Sequence, residues 1–401
     1  MFKFFWIIST TLFIYKPKIF GLGYEGEIVG LLIFLFSILK NSKRTLKNLS
    51  NSFVVYTILF FLITIILSFF WIFIHDGTYN YLQPQIKILS NIFGVIGVVS
   101  FLKISSSKFI NYLKYIYLFQ ITYMYVGIFF PEITRPIQSF IFNDQYELII
   151  STYFGQRGFS FTGSLAYSSS ILLSTFLIFI ITNNKIFKKN STYENLFFYA
   201  ISIIPLLTAA RISIVTLILV LILIFAQARS KKTFILFLVL ILISLSIFFK
   251  NSLTSFDIRV FEFIFEPIIN FLNQETLLTS SSQKLLNDMY FKINSQDLFY
   301  GTGMYYNPDG SYFGYTDAGY MRLILFFGIP FTIFFTISNI LFIRFLINKS
   351  NYHPILFPII TLFILLYQIK GDILGYNVDF YTLLLLFLFY KILNKIKSKL
   401  I

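Results

Sequence analysis

The sequence predicts an all-α, polytopic integral membrane protein with about twelve transmembrane helices and a large extracytoplasmic loop between helices nine and ten. Three observations carry that prediction. The chain of 401 residues is 57% hydrophobic and only 12% charged, with a mean hydropathy of +0.78, where a soluble domain is about a quarter charged. Apolar runs of about 20 residues, the length that crosses a hydrocarbon layer roughly 30 Å thick, recur along the whole chain. The basic residues fall between those runs in alternate gaps, as a chain threaded back and forth through a membrane requires.

The runs lie at about 4–20, 24–40, 53–75, 86–104, 109–131, 161–182, 195–209, 212–228, 233–250, 319–343, 354–370 and 374–392. Lys16 and Lys18 interrupt the first, which makes a cleaved signal peptide its rival. No small-residue cleavage site follows the apolar core, so it is read as a span. The expected organisation is one polytopic membrane domain over 1–401, with an outer loop at 132–160 and a larger one, containing amphipathic helices, at 251–318.

Orientation follows from the lysines. With both termini in the cytoplasm, "KNSKRTLKNLS" (40–50), 103–108, "NNKIFKKNSTYE" (183–194), 227–232, 344–353 and the tail "KILNKIKSKLI" lie inside and hold most of the 32 Lys and Arg, while Glu194 is the only one of the 17 acidic residues among them. The net charge of +15 is then a topology signal, and nucleic acid loses its claim as a partner.

The arginines break this pattern. Five of the eight, Arg135, Arg157, Arg211, Arg259 and Arg322, fall at or beyond the outer boundary. A planar, always-charged fork suits bidentate capture of phosphate or carboxylate, whereas a lysine suffices as a topology anchor. Snorkelling to outer headgroups or pairing with outer acids explains any one of them; five together point to an anion site.

In the larger loop, Arg259, Glu262, Glu266 and Asn270 recur at helical spacing on one stripe of "SFDIRVFEFIFEPIINFLNQ", with apolar residues around the rest. Such a helix either lies on the bilayer or lines a cavity with Glu262 or Glu266 as a base. Leu285, Leu286, Met289, Tyr290 and Ile293 form a second, shorter amphipathic piece. Next comes "DLFYGTGMYYNPDGSYFGYTDAGYMRLILFFGIP", a compact loop by its glycines and its Pro308-Asp309-Gly310 turn. Its "GTG" is a weak phosphate-cradle signal without the rest of a P-loop. Asp317 and Arg322 stand at the mouth of the following span.

Other chemistries find little support. There is no cysteine, hence no thiol nucleophile or thiolate metal site. His75 and His353 fall on opposite sides of the membrane in this topology, which argues against a Ser–His–Asp arrangement, and no metal-ligand spacing is present. Lys370 and Asp372, in "YQIKGDILGY", read as a local ion pair, with a coupling-ion role as the sharper alternative.

Four segments carry a family resemblance: "GQRGFSFTGSLAYSSS" leading into a span, "LLTAARISIV" at an outer turn, the long loop between spans nine and ten, and "TDAGYMRLILFFGI" closing it. In this order the chain resembles the Wzy-type O-antigen and capsular polysaccharide polymerases, distant relatives of the O-antigen ligases. It departs from them at Ala209-Ala210-Arg211, which lacks a serine, and at Gly163-Ser164, where relatives carry a proline beside a polar residue. The ligases use a histidine in the large outer loop, and 251–318 has none, which favours polymerase over ligase.

The resemblance implies a glycosyltransferase of the bacterial cytoplasmic (inner) membrane. It transfers a growing glycan from undecaprenyl diphosphate to a hydroxyl of the next lipid-linked repeat unit, with no cofactor, because the glycosyl–diphosphate bond holds the energy. Its partners are undecaprenyl-diphosphate-linked glycans and membrane lipid, together with a flippase and a chain-length regulator. Arg211 and Arg157 would hold the lipid diphosphate, with Arg322, Arg259 and Tyr320 as further substrate-binding residues, and Glu262, Glu266 or Asp317 as the base. Loop aromatics, among them Tyr305, Tyr306, Tyr312, Phe313 and Tyr315, suit stacking on sugars. The rivals are a lipid-linked oligosaccharide flippase or other secondary transporter, which should show related halves, and a membrane scaffold, which leaves the arginine bias unexplained.

Arg211 is the sharpest expectation. It is the only charged residue between Asn195 and Ala226, and the stretch from it to Arg229 would rise roughly 27 Å as a helix, slightly less than the hydrocarbon thickness. The "TAAR" turn should therefore sit at the outer boundary as the apex of a helical hairpin.

Overall fold

The computed structural model describes residues 2–18, 25–102, 106–141, 161–162, 166–183, 189–227, 266, 269–273, 278–350 and 352–398. The principal helices are α1 (Phe2–Tyr15), α2 (Glu25–Leu49), α3 (Ser52–Ile74), α4 (Leu82–Phe101), α5 (Ser106–Phe129), α6 (Pro131–Ile141), α7 (Ala166–Asn183), α8 (Lys189–Ala209) and α9 (Ser213–Gln227). They continue with the short α10 (Ser280–Lys284) and α11 (Ser295–Tyr300), then α12 (Gly319–Ser350), α13 (Leu356–Gln368) and α14 (Val378–Ser398). No strand occurs among the described residues beyond a lone bridge between Tyr306 and Tyr312.

Helices cover eleven of the twelve apolar runs, and the run at 233–250 lies outside the described residues. Among the described residues, α3, α4 with its preceding turn, α7 and α12 are long and apolar enough to cross a membrane, and α5 with α6, bent by 114° where Pro131 interrupts the helix, makes a fifth if the pair is one span. The apolar stretches of α1, α8, α9 and α13 are shorter.

Helix extends into two segments expected as loops. Residues 40–49 continue α2 past a break at Asn41 (φ −141°, ψ 48°). The Thr45 hydroxyl bridges the break, 3.0 Å from the Ser37 carbonyl and 3.1 Å from that of Asn41. The outer segment expected from residue 132 likewise begins inside α6, whose apolar and polar residues separate sharply onto opposite faces.

Where the sequence reads as one domain, the contacts divide the chain into two compact units, 1–29 with 104–277 and 30–103 with 278–401. Each is organised around one helix buried on every side, α7 in the first (Ser169 to Thr182) and α14 in the second (Phe380 to Tyr390). A helix apolar all round finds no polar solvent to face, so its neighbours enclose it. α5, α8 and α9 pack on α7, and α4 packs on α14.

α3 is patterned the opposite way. Thr57, Thr64 and Ser68 point inward with Val54, Phe61 and Ile72, while Ile63, Ile66, Phe70 and Phe73 are exposed. Small and hydroxyl residues inside with large apolar ones outside is the arrangement of a helix solvated by lipid, where inter-helix contact depends on close packing and hydrogen bonds. Within the first unit the same logic joins α7 to α9 through Ser170–Ser213 (2.7 Å) and Thr216–Ser174 (2.9 Å).

In the second unit α12 is broken at Gly328 (φ 74°, ψ 166°), with Pro330 two residues on. Helix continuation would have Ile329 donate to the Leu325 carbonyl and residue 330 to the Phe326 carbonyl, but the break removes the first donor and proline lacks the second. The "GTG" loop replaces both: Thr302 N donates to Leu325 O at 2.7 Å and Gly303 N to Phe326 O at 3.1 Å. Those amides are thus spent on closing a helix, which withdraws the phosphate-cradle reading. Only glycine fits here, since a Cβ on Gly328 would collide with the Phe299 carbonyl and one on Gly301 with that of Phe326.

Candidate functional site

Two arginine centres stand out, one in each unit. In the first, α8 and α9 meet in the turn Ala210-Arg211-Ile212, tightened by Ser213 N to Ala210 O (2.9 Å) and Ile214 N to Arg211 O (3.1 Å). Arg211 is therefore the apex of a helical hairpin. Its Nη2 forms an ion pair with Oε2 of Glu266, the two side chains being 13% and 20% exposed. Glu266 reaches it from the segment read as an amphipathic helix, of which 266 and 269–273 are described as helical. Burial lowers the Arg211 pKa and Glu266 opposes that shift, so the carboxylate helps to keep the cation at a partly desolvated turn. Arg157, Arg259 and Glu262 lie outside the described residues.

In the second unit, Arg322 projects from the first turn of α12 into a cage of tyrosines. Its guanidinium carbon is 3.6 Å from the ring centre of Tyr312, 4.2 Å from Tyr305 and 4.9 Å from Tyr376, within the range of strong cation–π attraction. Tyr305 and Tyr312 come from the turn after the "GTG" segment, Tyr376 from the α13–α14 connection. Arg322 is only 5% exposed, and its Nε and Nη2 hydrogens have no acceptor.

Beside the cage, Asp372 is 4% exposed. It accepts from the Tyr305 hydroxyl at 2.5 Å and from Gln368 Nε2 at 2.9 Å. Gln368 Oε1 in turn accepts from the amides of Ile373 and Leu374, which fixes the connection that presents Asp372. Burial raises the Asp372 carboxyl above the ordinary carboxylate range, against the pull of Arg322 and the two hydrogen bonds. Burial likewise raises the Tyr305 and Tyr376 phenols, so both hydroxyls keep their protons. Tyr306 and Tyr376 share a hydrogen bond that ties the two sides of the cage together.

Asp317 and Tyr320 do not join these centres. Asp317 is exposed on the approach to α12. Tyr320 turns away, donates to Leu365 O at 3.1 Å and borders an apolar groove of about 250 Å³ with Ile324, Ile329, Thr332 and Ile333. Tyr305, expected to stack on sugar, is buried against Arg322, while Tyr315 is exposed. Asp372 pairs with Tyr305 and Gln368 in place of a local pair with Lys370, which donates to Ser281 Oγ at 3.5 Å. Among the described residues no three His, Cys, Asp or Glu side chains gather as a metal-ion set.

Sequence reading missed Gln368 and Tyr376 and gave Asp372 another partner, Lys370. The signal was present: an acid and an amide four residues apart beside a glycine turn, between two apolar runs where a buried acid is costly unless it is held.

Together these features define an all-helical protein with membrane-capable helices and two arginine-centred sites. No protein-family model matches the chain, and no curated protein matches it.

Proposed function

We propose that the chain is a multi-pass glycosyltransferase of the bacterial cytoplasmic membrane, with about twelve spans and both termini inside, which joins undecaprenyl-diphosphate-linked oligosaccharide units into surface polysaccharide at the outer face. The observation that carries this reading is the ion pair of Arg211 with Glu266, residues from distant parts of the sequence that bring an anion-binding fork and a carboxylate to one hairpin apex. The resemblance to Wzy-type polymerases, the lysine distribution and the lipid-type patterning of α3 support it.

In the proposed reaction, a diphosphate with at least two negative charges competes with the single carboxylate for Arg211. Glu266, released, accepts the proton of the incoming sugar hydroxyl. The hydroxyl oxygen attacks the anomeric carbon, the bond from that carbon to the phosphate oxygen breaks, and the leaving diphosphate carries away the electron pair. Arg211 is placed to stabilise that growing charge from a geometry fixed beforehand.

The test is genetic. Cells carrying Arg211→Ala at equal expression should display single repeat units where wild type displays long chains, and Glu266→Gln should shorten chains similarly. Long chains unchanged in length in the Arg211→Ala strain would refute the assignment.

One observation favours a second reading, a lipid-linked oligosaccharide flippase. Transporters place buried charges beside interrupted helices, and α12 is interrupted at Gly328 with Arg322 and Asp372 buried in the same unit. Deleting a flippase leaves no exported glycan, whereas deleting the polymerase leaves single units capping the surface.

A further inference from the structure

Arg322 is held for a ligand other than its cage. A guanidinium has two edges that can grip a planar oxyanion, and the side-on edge consists of Nε and Nη2. These are the two Arg322 nitrogens that are buried without an acceptor. An unanswered pair of charged donors is expensive in a desolvated place, and the rings around it supply π-faces but no lone pair on this edge. The rings also fix the direction of the edge, since the guanidinium is held against Tyr312, Tyr305 and Tyr376. Asp372 accepts from Tyr305 and Gln368 and makes no hydrogen bond to this edge.

We infer that the side-on edge of Arg322 is the subsite for the carboxylate of an acidic sugar, so that the glycan handled by this chain carries uronic-acid-type residues. The inference rests on the proposed glycan function and names its substrate class. Charge decides between carboxylate and diphosphate here. Among the described residues the cage contains one guanidinium, with a carboxyl group next to it at Asp372, which suits a ligand of one negative charge and disfavours one of two or more. The surroundings fit a sugar as well: Tyr306 and Tyr312 are half-buried aromatic faces. The turn that carries Tyr306 and Tyr312 is closed by Asn307 N to Ser311 O at 2.8 Å, with open space around Gly310.

Ligand-observed saturation-transfer NMR on the full chain in lipid nanodiscs tests this, with D-glucuronate, D-glucose and inorganic phosphate as probes. Glucuronate should bind saturably and glucose should not, and phosphate should fail to displace glucuronate. Arg322→Lys keeps the charge but loses the two-donor edge, and should weaken glucuronate by about tenfold. If that variant does not fold, Tyr312→Leu, which removes the closest ring, should weaken it several-fold. No glucuronate binding to folded wild type, displacement by equimolar phosphate, or unchanged affinity in the folded variants would each overturn the inference. Arg211→Ala should bind glucuronate as wild type does, so a failure of the polymerase assignment at Arg211 would be seen separately from a failure here.

Discussion

Arg211 and Arg322 are both cations that the fold removes from water, yet it compensates them differently. Arg211 faces a carboxylate delivered by another segment, and both partners keep some contact with solvent. Arg322 is enclosed by rings, faces no carboxylate within ion-pair distance, and leaves two donors open. An ion pair of the first kind is exchangeable, because a ligand with more negative charge can take the partner's place. A caged guanidinium is preorganised, because its direction is set by packing whether or not a ligand is present. The difference suits the first centre to charge that develops during a reaction and the second to a recognition group that does not change.

The largest effect should come from the break in the helix that carries Arg322. Gly328→Ala puts a Cβ at positive φ and against the Phe299 carbonyl, and should destabilise the second unit by about 3 kcal/mol or prevent its folding. Gly310→Ala, also at positive φ but with open space around it, should cost about 1 kcal/mol. Thermal unfolding of the two variants side by side separates collision from strain.

Asp372→Ala comes next. It leaves the Tyr305 hydroxyl and the Gln368 amide without their buried acceptor, at about 2–3 kcal/mol, and should loosen Tyr305 from Arg322. Asp372→Asn, which retains an acceptor for Tyr305, should cost less and change the pH dependence. A carboxyl whose native pKa is raised binds its proton more tightly in the folded state. Its contribution thus favours the folded chain below the ordinary value of 3.8 and is lost as pH rises through the raised value. Stability measured over that acidic-to-neutral range should be flatter in Asp372→Asn than in wild type.

Two smaller effects complete the series. Arg211→Ala leaves Glu266 without its partner in a pair only 13% and 20% exposed and should cost about 2 kcal/mol, between an exposed and a buried pair, so loss of function is read at matched folded protein. Ser170→Ala removes a hydroxyl bridge to Ser213 and should cost about 0.6 kcal/mol, the mean worth of such bonds between membrane helices.

The features legible in the sequence were those set by local pattern. Apolar length gave eleven helices, the lone charge in a long apolar run marked the hairpin apex at Arg211, and of the face expected over Leu285, Leu286, Met289, Tyr290 and Ile293 all but the exposed Leu286 pack on Ala318, Met321 and Leu325. What escaped depends on pairs far apart in the chain. The "GTG" amides serve carbonyls some 23 residues away, a use that nothing in three residues announces. Asp372 meets Tyr305 across 67 residues, so the nearer Lys370 was the natural partner to assume. The helix over 40–49 escaped because its lysines were read as marking a membrane boundary, and a boundary charge is as compatible with a helix as with a loop.

Reconstitution tests the central claim most directly: purified chain in proteoliposomes, supplied with a defined undecaprenyl-diphosphate-linked repeat unit, with products resolved by length. The account predicts a ladder of multiples from wild type and only the single unit from Arg211→Ala at matched folded protein. A ladder of equal length from both would contradict it.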